Sequence, residues 1–311
     1  MVKFIKFILK VVVSLFVLLN VVVIFHAYKF THFYEPSEVQ IIPQQNKTKW
    51  DVTKEILFGI NGIKNKNVAP DSTFAKVILT TSNGLQLDAW HTIVPTAKGT
   101  VAMFHGHGGN KAGIVAEARA FQKLGYSTLM VDFRAHGNSQ GNTCTIGYNE
   151  AEDVKLAYDY LTNLNEKKII LYGISLGAAT ITKAIHDYAL KPAKVILEMP
   201  FGSLSQAVAG RVKLMGLPAQ PIATLLTFWG GTIHGFWAYN NNPSDFAKSI
   251  QCPVLLQKGQ QDNRVSNAET TAIFNNISTR KKLNIYANSG HQSLCTNEPD
   301  KWMIEVANFL P

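Results

Sequence analysis

The pattern of hydrophobic and polar positions divides the chain into three segments. An apolar run from Val11 to Ala27 contains no charged residue other than one histidine. A polar, irregular stretch follows, in which a short apolar patch at 51–60 is compatible with a helix. From Phe74 onward, short apolar runs typical of buried strands alternate with longer stretches of helical periodicity. We therefore predict segment boundaries at residues 1–27, 28–73 and 74–311.

The first segment has the length and composition of a membrane-spanning helix. Its apolar run spans about 25 Å as a helix, and a few preceding residues extend it toward the ~30 Å hydrocarbon core of a bilayer. Because the segment is apolar on every side, a buried core helix is a poor alternative. We predict that residues 1–27 anchor the protein in a membrane and that 28–73 form a juxtamembrane connector.

The lysines around this segment predict its orientation. Lys3, Lys6 and Lys10 precede the apolar run, and only Lys29 closely follows it. The positive-inside rule then places the N-terminus in the cytoplasm and the rest of this single-pass chain on the non-cytoplasmic side. A cleaved signal peptide is the alternative interpretation, although the small-x-small cleavage site is poor.

The pattern of the third segment predicts an α/β fold. Two apolar runs separated by Asn83-Gly84 are typical of a hairpin, and further strands then alternate with helices. This alternation predicts a mostly parallel central sheet with helices on both faces. A long interruption at about 202–250 separates two of the predicted strands. Functional groups in such sheets gather beyond the carboxyl ends of the strands.

Composition and charge exclude other classes of protein. The net charge is +9, but the first 70 residues hold nine lysines against four acids, so much of the excess lies outside the predicted domain. No basic run or aromatic-interleaved basic stripe is present, and we therefore expect no nucleic-acid partner. No histidine–cysteine cluster at metal-ligand spacing and no phosphate-binding glycine motif occurs, so we expect neither a metal nor a cofactor.

A candidate nucleophile lies at the junction of a predicted strand and helix. The sequence Gly173-Ile-Ser175-Leu-Gly177 has the G-x-S-x-G pattern of a nucleophile elbow, in which a sharp turn exposes the serine hydroxyl above the sheet. A helix-capping serine between two turn glycines is the simpler alternative. The strand before the motif and the helix after it favour the nucleophile.

A serine nucleophile needs a base, and the base needs an acid that orients it. Asp262 follows one late strand and His291 follows the last one, so both belong at the same sheet edge as Ser175. The order Ser, Asp, His is the one this kind of fold requires. We predict that the three residues form a catalytic triad.

A glycine-rich loop supplies candidate donors for an oxyanion. The stretch His105–Gly109 follows an early strand, and loops of this kind leave backbone N–H groups free. We predict an oxyanion hole formed by the backbone N–H groups of Leu176 and His107. A second loop contains Asp132, and its charged side chains are expected to tie neighbouring loops together.

Together these motifs resemble the α/β-hydrolase superfamily, and within it the prolyl-oligopeptidase-like and serine-aminopeptidase-like serine hydrolases. The resemblance extends from about residue 76 to residue 310. One position departs from the pattern, since Ala135 stands where the family usually has glycine. The motifs that carry the resemblance are the H-G-x-x-G-N loop at 105–110, D-x-R-x-H-G-x-S at 132–139, G-x-S-x-G at 173–177, G-x-x-D-x-x-V at 259–265 and G-H-x-x-L at 290–294.

The resemblance implies hydrolysis of an acyl ester or thioester through an acyl-enzyme. A peptidase or amidase is the alternative, because the same triad serves both reactions, and a non-catalytic binding protein of the same fold is a third reading. The expected substrate is therefore a small acyl ester or a peptide. The resemblance also implies that the interruption at about 202–250 forms a helical cap over the nucleophile. This cap contains four aromatic residues that are candidates to line an acyl pocket, or simply to pack the cap onto the sheet: Phe228, Trp229, Phe236 and Trp237.

Three cysteines do not form a disulfide framework. Cys144 and Cys295 both lie on loops expected at the catalytic edge, and Cys295 comes four residues after His291. In an exported domain they could form a disulfide that holds the histidine loop.

Overall fold

The computed structural model describes residues 1–311, and an eight-stranded sheet lies at its centre. Two short strands, β1 (Phe33–Tyr34) and β2 (Gly62–Ile63), precede this sheet along the chain and pair with each other. The eight strands of the central sheet are β3 (Ala75–Thr80), β4 (Gln86–Thr92), β5 (Thr100–Phe104), β6 (Ser127–Val131), β7 (Ile169–Ile174), β8 (Lys194–Glu198), β9 (Val254–Gly259) and β10 (Lys281–Tyr286). The order across the sheet is β10-β9-β8-β7-β5-β6-β4-β3. Strand β4 pairs antiparallel with both of its neighbours, and every other pairing is parallel. The predicted mostly parallel sheet is confirmed.

Helices cover both faces of this sheet. Further helices lie in the N-terminal segment and in the interruption between β8 and β9. The eleven α-helices of the chain are α1 (Val2–Thr31), α2 (Lys49–Phe58), α3 (Val115–Lys123), α4 (Glu150–Asn163), α5 (Leu176–Tyr188), α6 (Leu204–Leu214), α7 (Ile222–Ile233), α8 (Pro243–Phe246), α9 (Asn267–Asn276), α10 (Leu294–Asn297) and α11 (Pro299–Phe309). Alternate residues of β5 enter two separate cores: Ala102 and Phe104 face one, Val101 and Met103 the other. Burial on both faces explains why the central strands read as continuous apolar runs.

The interruption between β8 and β9 is helical, as expected for a cap. Helices α6, α7 and α8 occupy it, and α6 packs against α7. Helix α7 is apolar along its whole length, yet it is too short to cross a membrane. Its packing partner on the other side is the N-terminal helix α1.

Helix α1 is the one helix long and apolar enough to cross a membrane, with a mean hydropathy of 2.8 over its most apolar window. It continues past the predicted end at residue 27 and stops at Thr31. Side chains up to Leu18 are exposed, whereas Val23, Ala27 and Thr31 are buried against the rest of the protein. The helix therefore projects from the folded domain with its C-terminal third docked.

The connector is packed onto the domain and contains helix α2. The side chains of Thr48 and Asp51 form a capping box that starts α2, close to the patch predicted to be helical. Lys64 is buried, and its Nζ donates to the backbone oxygen of Ser139 at 3.1 Å. Asn67 Nδ2 donates to a carboxylate oxygen of Asp132 at 3.0 Å. These contacts hold the connector against the second of the two loops singled out in the sequence.

The disulfide considered between Cys144 and Cys295 is not formed. All three cysteines are free thiols. Cys144 lies in the core on one side of the sheet, and Cys295 lies in the core on the other side. Loops at one sheet edge can send their side chains to opposite faces, which the sequence pattern does not reveal.

Candidate active site

Ser175 lies at a sharp turn between β7 and α5, as the elbow motif predicts. Its φ is 53° and its ψ is −109°, a conformation that costs a non-glycine residue free energy and that the surroundings must enforce. A Cβ at Gly173 would lie 2.5 Å from the backbone nitrogen of Ala178, and one at Gly177 would lie 2.3 Å from the oxygen of Phe104. The two glycines are therefore needed for strand and helix to approach this closely.

The structure brings Ser175, His291 and Asp262 together at the carboxyl edge of the sheet. His291 Nε2 lies 2.9 Å from Ser175 Oγ, and His291 Nδ1 lies 2.8 Å from Asp262 Oδ2. Asp262 follows β9 and His291 follows β10, and these strands are parallel neighbours. With Asp262 on Nδ1, the Nε2 atom is free to accept the proton of the serine hydroxyl.

The carboxylate of Asp262 is held in its charged form. Burial would raise its pKa, but the hydrogen bond and charge of His291 and two backbone N–H groups outweigh burial and lower the pKa. Those backbone donors belong to Arg264 and Val265, which reach Asp262 Oδ1 at 2.8 and 3.0 Å. They fix the carboxylate so that its second oxygen faces the imidazole.

The two predicted oxyanion donors are available. The backbone N–H groups of His107 and Leu176 donate to no acceptor within the chain. A Cβ built on Gly106 would lie 3.6 Å from the Cβ of Ser175, so the glycine-rich loop passes directly beside the serine. Leu176 is also the first residue of α5, where free N–H groups favour negative charge.

The imidazoles in this loop have structural partners. His105 is buried; its Nδ1 donates to the oxygen of Gly106 at 2.8 Å and its Nε2 accepts from the N–H of Phe133. Burial lowers the pKa of His105, so the ring stays neutral. His105 thus joins the glycine-rich loop to the loop after β6.

A buried cluster of one lysine and two aspartates supports the same loop, and sequence reasoning identified only one of the three residues. Lys111 is fully buried, and its Nζ lies 2.6 Å from Asp132 and 2.7 Å from Asp88. Asp132 also accepts from the backbone N–H of Lys111 at 2.6 Å. These contacts agree with the prediction that Asp132 holds neighbouring loops together. No sequence signal separated Lys111 from a surface lysine at the start of a helix.

Ala135 is the position at which glycine is usual. Its φ is 64°, which lies in the left-handed region that glycine adopts without cost. The next glycine, Gly137, has a φ of 52°, and a Cβ there would lie 2.1 Å from Asp132. The loop therefore accommodates Ala135 in a strained backbone conformation, whereas a side chain at Gly137 would overlap the carboxylate of Asp132.

A cleft of about 500 Å³, including space open to solvent, adjoins Ser175. Eight of its thirteen lining residues are hydrophobic. One wall is Phe30, from the end of α1, and another is Arg211, from cap helix α6. Sequence reasoning missed both, because Phe30 belongs to the segment interpreted as an anchor and Arg211 has no motif around it.

None of the four cap aromatics proposed for an acyl pocket lines this cleft. Trp229 turns toward α1, where its Nε1 donates to Asn20 Oδ1 at 2.9 Å. Phe236 stacks on Tyr148 with ring centroids 4.1 Å apart. Phe228 and Trp237 remain exposed, Trp237 to 57%. These four side chains therefore either pack against neighbouring elements or lie on an outer surface of the cap.

One group of side chains has the composition of a metal site. The ligand atoms of His107, His136 and Cys144 lie within 4.8 Å of one another. However, His136 Nε2 accepts from the N–H of Gly108 and its Nδ1 donates to the oxygen of Arg134, so both ring nitrogens are already occupied. The group therefore lacks a free set of ligand atoms, and its histidines order the loops instead.

Comparison with known proteins supports the fold described above. The family model of the serine aminopeptidases S33 matches residues 95–246. The structure of an esterase from Pyrococcus furiosus is similar with a TM-score of 0.65 and 21% identity, covering 79% of this chain and 96% of that one. The chain has the α/β-hydrolase fold.

Two curated relatives are similar to this protein over most of its length. An uncharacterized Bacillus subtilis protein, YqkD, is 24% identical over 75% of this chain and 78% of its own. The lysophosphatidylserine lipase ABHD12 of Danio rerio is 22% identical over 65% of this chain and 58% of its own. The family model ends at residue 246, before Asp262 and His291, so the geometry described above carries the evidence for those two residues.

Proposed function

We propose that this hydrolase is a membrane-anchored serine esterase that cleaves acyl ester or thioester bonds. The observation that carries the proposal is the continuous line of hydrogen bonds from Ser175 Oγ through His291 to Asp262. Helix α1 would hold the enzyme in the membrane. The N-terminal lysines favour a catalytic domain on the non-cytoplasmic side.

The reaction proceeds in two steps. In the first, His291 Nε2 takes the proton of Ser175 as its oxygen attacks the carbonyl carbon, and Asp262 stabilises the imidazolium. The tetrahedral oxyanion accepts hydrogen bonds from the N–H groups of Leu176 and His107. His291 then gives its proton to the departing alcohol or thiol, which leaves the acyl group on Ser175. In the second step, water activated by His291 releases the acid and restores the hydroxyl.

The lining of the cleft favours an acyl ester over an aminoacyl substrate. An aminopeptidase must bind the protonated amino group of its substrate, for which a carboxylate is the usual partner. No aspartate or glutamate lines the cleft beside Ser175, whereas Arg211 and Arg264 do. Two guanidinium groups would repel an ammonium group. The family name of the matching model keeps the peptidase as the second candidate.

The same arginines support an acyl substrate that carries a negative charge. Arg211 Nη2 contacts the neutral ring of His107 at 3.4 Å, and its guanidinium lies over the ring of Phe30 at 5.2 Å. Burial, and then the charge of Arg264, lower the pKa of Arg211, and no carboxylate offsets either effect. A half-buried cation without an ion-pair partner in a cleft is a ready site for an anionic group. The lipase ABHD12 is named for an anionic lysophospholipid.

A fluorophosphonate probe tests the catalytic assignment. We expect it to label the wild-type protein and to leave Ser175→Ala unlabelled, with Ser203→Ala, a helix-capping serine in the cap, as the matched control. A panel of p-nitrophenyl esters of graded chain length, set against aminoacyl anilides, separates esterase from peptidase. Labelling that persists in Ser175→Ala, or faster cleavage of the anilides, contradicts the proposal.

Substitution of Arg211 tests the charge preference. We expect Arg211→Gln to lower kcat/KM for an anionic lysophospholipid by about tenfold or more, and to leave the monoacylglycerol of the same chain length nearly unchanged. Arg211→Lys should recover part of the loss. Equal losses on both substrates would instead indicate a role in packing the cap.

A further inference from the structure

The point along helix α1 at which the cap packs determines the depth of the cap relative to the membrane. Lys10 and Lys29 bracket 18 residues without an acidic or basic side chain other than His26. These residues span about 27 Å as a helix, close to the ~30 Å of the hydrocarbon core. Because Lys3, Lys6 and Lys10 resist burial in lipid, the membrane boundary on the domain side must lie near Lys29.

Cap helix α7 packs against α1 well below that boundary. Trp229 on α7 donates its indole hydrogen to Asn20, and Asn20 is nine residues before Lys29, about 14 Å deeper along the helix. Asn20 Nδ2 donates to the oxygen of Phe16 at 2.8 Å. Both polar ends of the Asn20 amide are therefore satisfied, as hydrocarbon requires. A cap that reaches Asn20 lies beside the middle of the spanning segment.

The composition of the cap fits that position. From Leu214 to Ser244 the sequence contains no aspartate, glutamate, lysine or arginine. Phe228 and Trp237 are exposed on this stretch, with ring centroids 6.3 Å apart. Exposed aromatic side chains are unfavourable in water unless a partner covers them, whereas the acyl chains of a lipid leaflet solvate them favourably.

Helix α2 flanks the other side of α1 nearer the boundary. Phe58 meets Phe25 edge to face at 5.1 Å, and His26 Nε2 lies 2.8 Å from the backbone oxygen of Ile56. The side chains of Ile56 and Phe58 are nevertheless largely exposed. We call the four exposed side chains around α1 the collar: Ile56, Phe58, Phe228 and Trp237.

We infer that the collar and helix α7 are immersed in the leaflet next to α1, so that the enzyme takes its substrate directly from the membrane. Phe30 follows Lys29 and lines the cleft, which places the cleft at the level of the lipid headgroups. The acyl ester bonds of membrane lipids lie at that level. The substrate class is therefore an acyl ester lipid resident in the bilayer. This last step rests on the proposed esterase function, whereas the immersion of the cap does not.

Fluorescence quenching tests the immersion without any catalysis. In full-length Trp50→Phe protein in nanodiscs, Trp237 is the most exposed indole, because Trp90 and Trp302 are buried and Trp229 is half-buried with its bond to Asn20 intact. We expect phosphatidylcholine brominated on its acyl chains to quench the Trp237 emission, taken as the difference from the variant that also carries Trp237→Phe. Aqueous acrylamide should quench it little. Quenching by acrylamide and not by brominated lipid overturns the inference.

A second measurement tests the route of the substrate. We expect Phe228→Ser/Trp237→Ser to keep hydrolysis of water-soluble p-nitrophenyl acetate within about twofold and to lower hydrolysis of an ester lipid in phosphatidylcholine vesicles by about tenfold or more. The control Ile304→Ser removes an equally exposed side chain, at 59%, from α11 and should change neither rate. Equal losses on both substrates, or no loss on either, overturn the inference. A wild-type protein that cleaves neither ester refutes the esterase function, while the quenching result still decides the immersion.

Discussion

Glu198, at the end of β8, links the stability of this hydrolase to pH. Its side chain is fully buried and faces neutral donors: Trp302 Nε1 at 2.5 Å and Gln257 Nε2 at 3.1 Å, both to Oε1. Burial, and then the nearby carboxyl of Glu117, raise the pKa of Glu198 from 4.5 to about 8. The backbone oxygen of Glu198 also accepts from the N–H of Ser175 at 2.7 Å, so this acid lies directly beneath the elbow.

The raised pKa of Glu198 determines the sign and the size of the change in unfolding free energy with pH. Between pH 4.5 and about 8 the folded protein keeps the proton of Glu198 while the unfolded chain has lost it. The free energy of unfolding therefore falls as pH rises, by up to about 1.4 kcal/mol for each pH unit. Glu198→Gln mimics the protonated acid and does not titrate. From pH 6 to pH 7.5 the wild-type free energy of unfolding should fall by about 2 kcal/mol on this account, or roughly 4–6 °C in Tm, and that of Glu198→Gln should not.

Thermal unfolding followed by tryptophan fluorescence in detergent measures this difference. We expect the Tm of Glu198→Gln to match the wild type at low pH and to exceed it increasingly toward pH 8. Asp300→Asn, which removes an exposed carboxylate from α11, serves as the control and should follow the wild type. If the curves of Glu198→Gln and wild type fall in parallel across this range, Glu198 does not titrate there and the reasoning is refuted.

Three further predictions follow from the elbow, the triad and the thiols. Gly177→Ala should abolish probe labelling and cost at least about 2 kcal/mol of stability, because its Cβ would lie 2.3 Å from the oxygen of Phe104; an active, stable variant would contradict the packing described. Asp262→Asn should lower kcat about 10³- to 10⁴-fold with little change in Tm, and a loss below tenfold would exclude it as the orienting acid. Denatured, unreduced protein should bind three equivalents of maleimide, whereas one equivalent would show that Cys144 and Cys295 are joined.

The sequence alone determined the fold class and the positions of the three candidate catalytic residues. Parallel strands end at a common edge, so a residue that follows a strand is placed there whatever the distance along the chain. Ser175, Asp262 and His291 each follow a predicted strand, and the structure brings them within hydrogen-bond distance. The length and composition of the apolar run likewise needed no tertiary information.

Only the tertiary structure decided which side chains surround the site. Phe30 lines the cleft because α1 docks on the cap, and the same docking turns Trp229 toward Asn20 and away from Ser175. Periodicity reports whether a residue is buried, but not which remote segment buries it. For the same reason the two faces of the sheet separate Cys144 from Cys295. Local pattern sets the elements and their ends, whereas contacts between distant segments set the neighbours of each side chain.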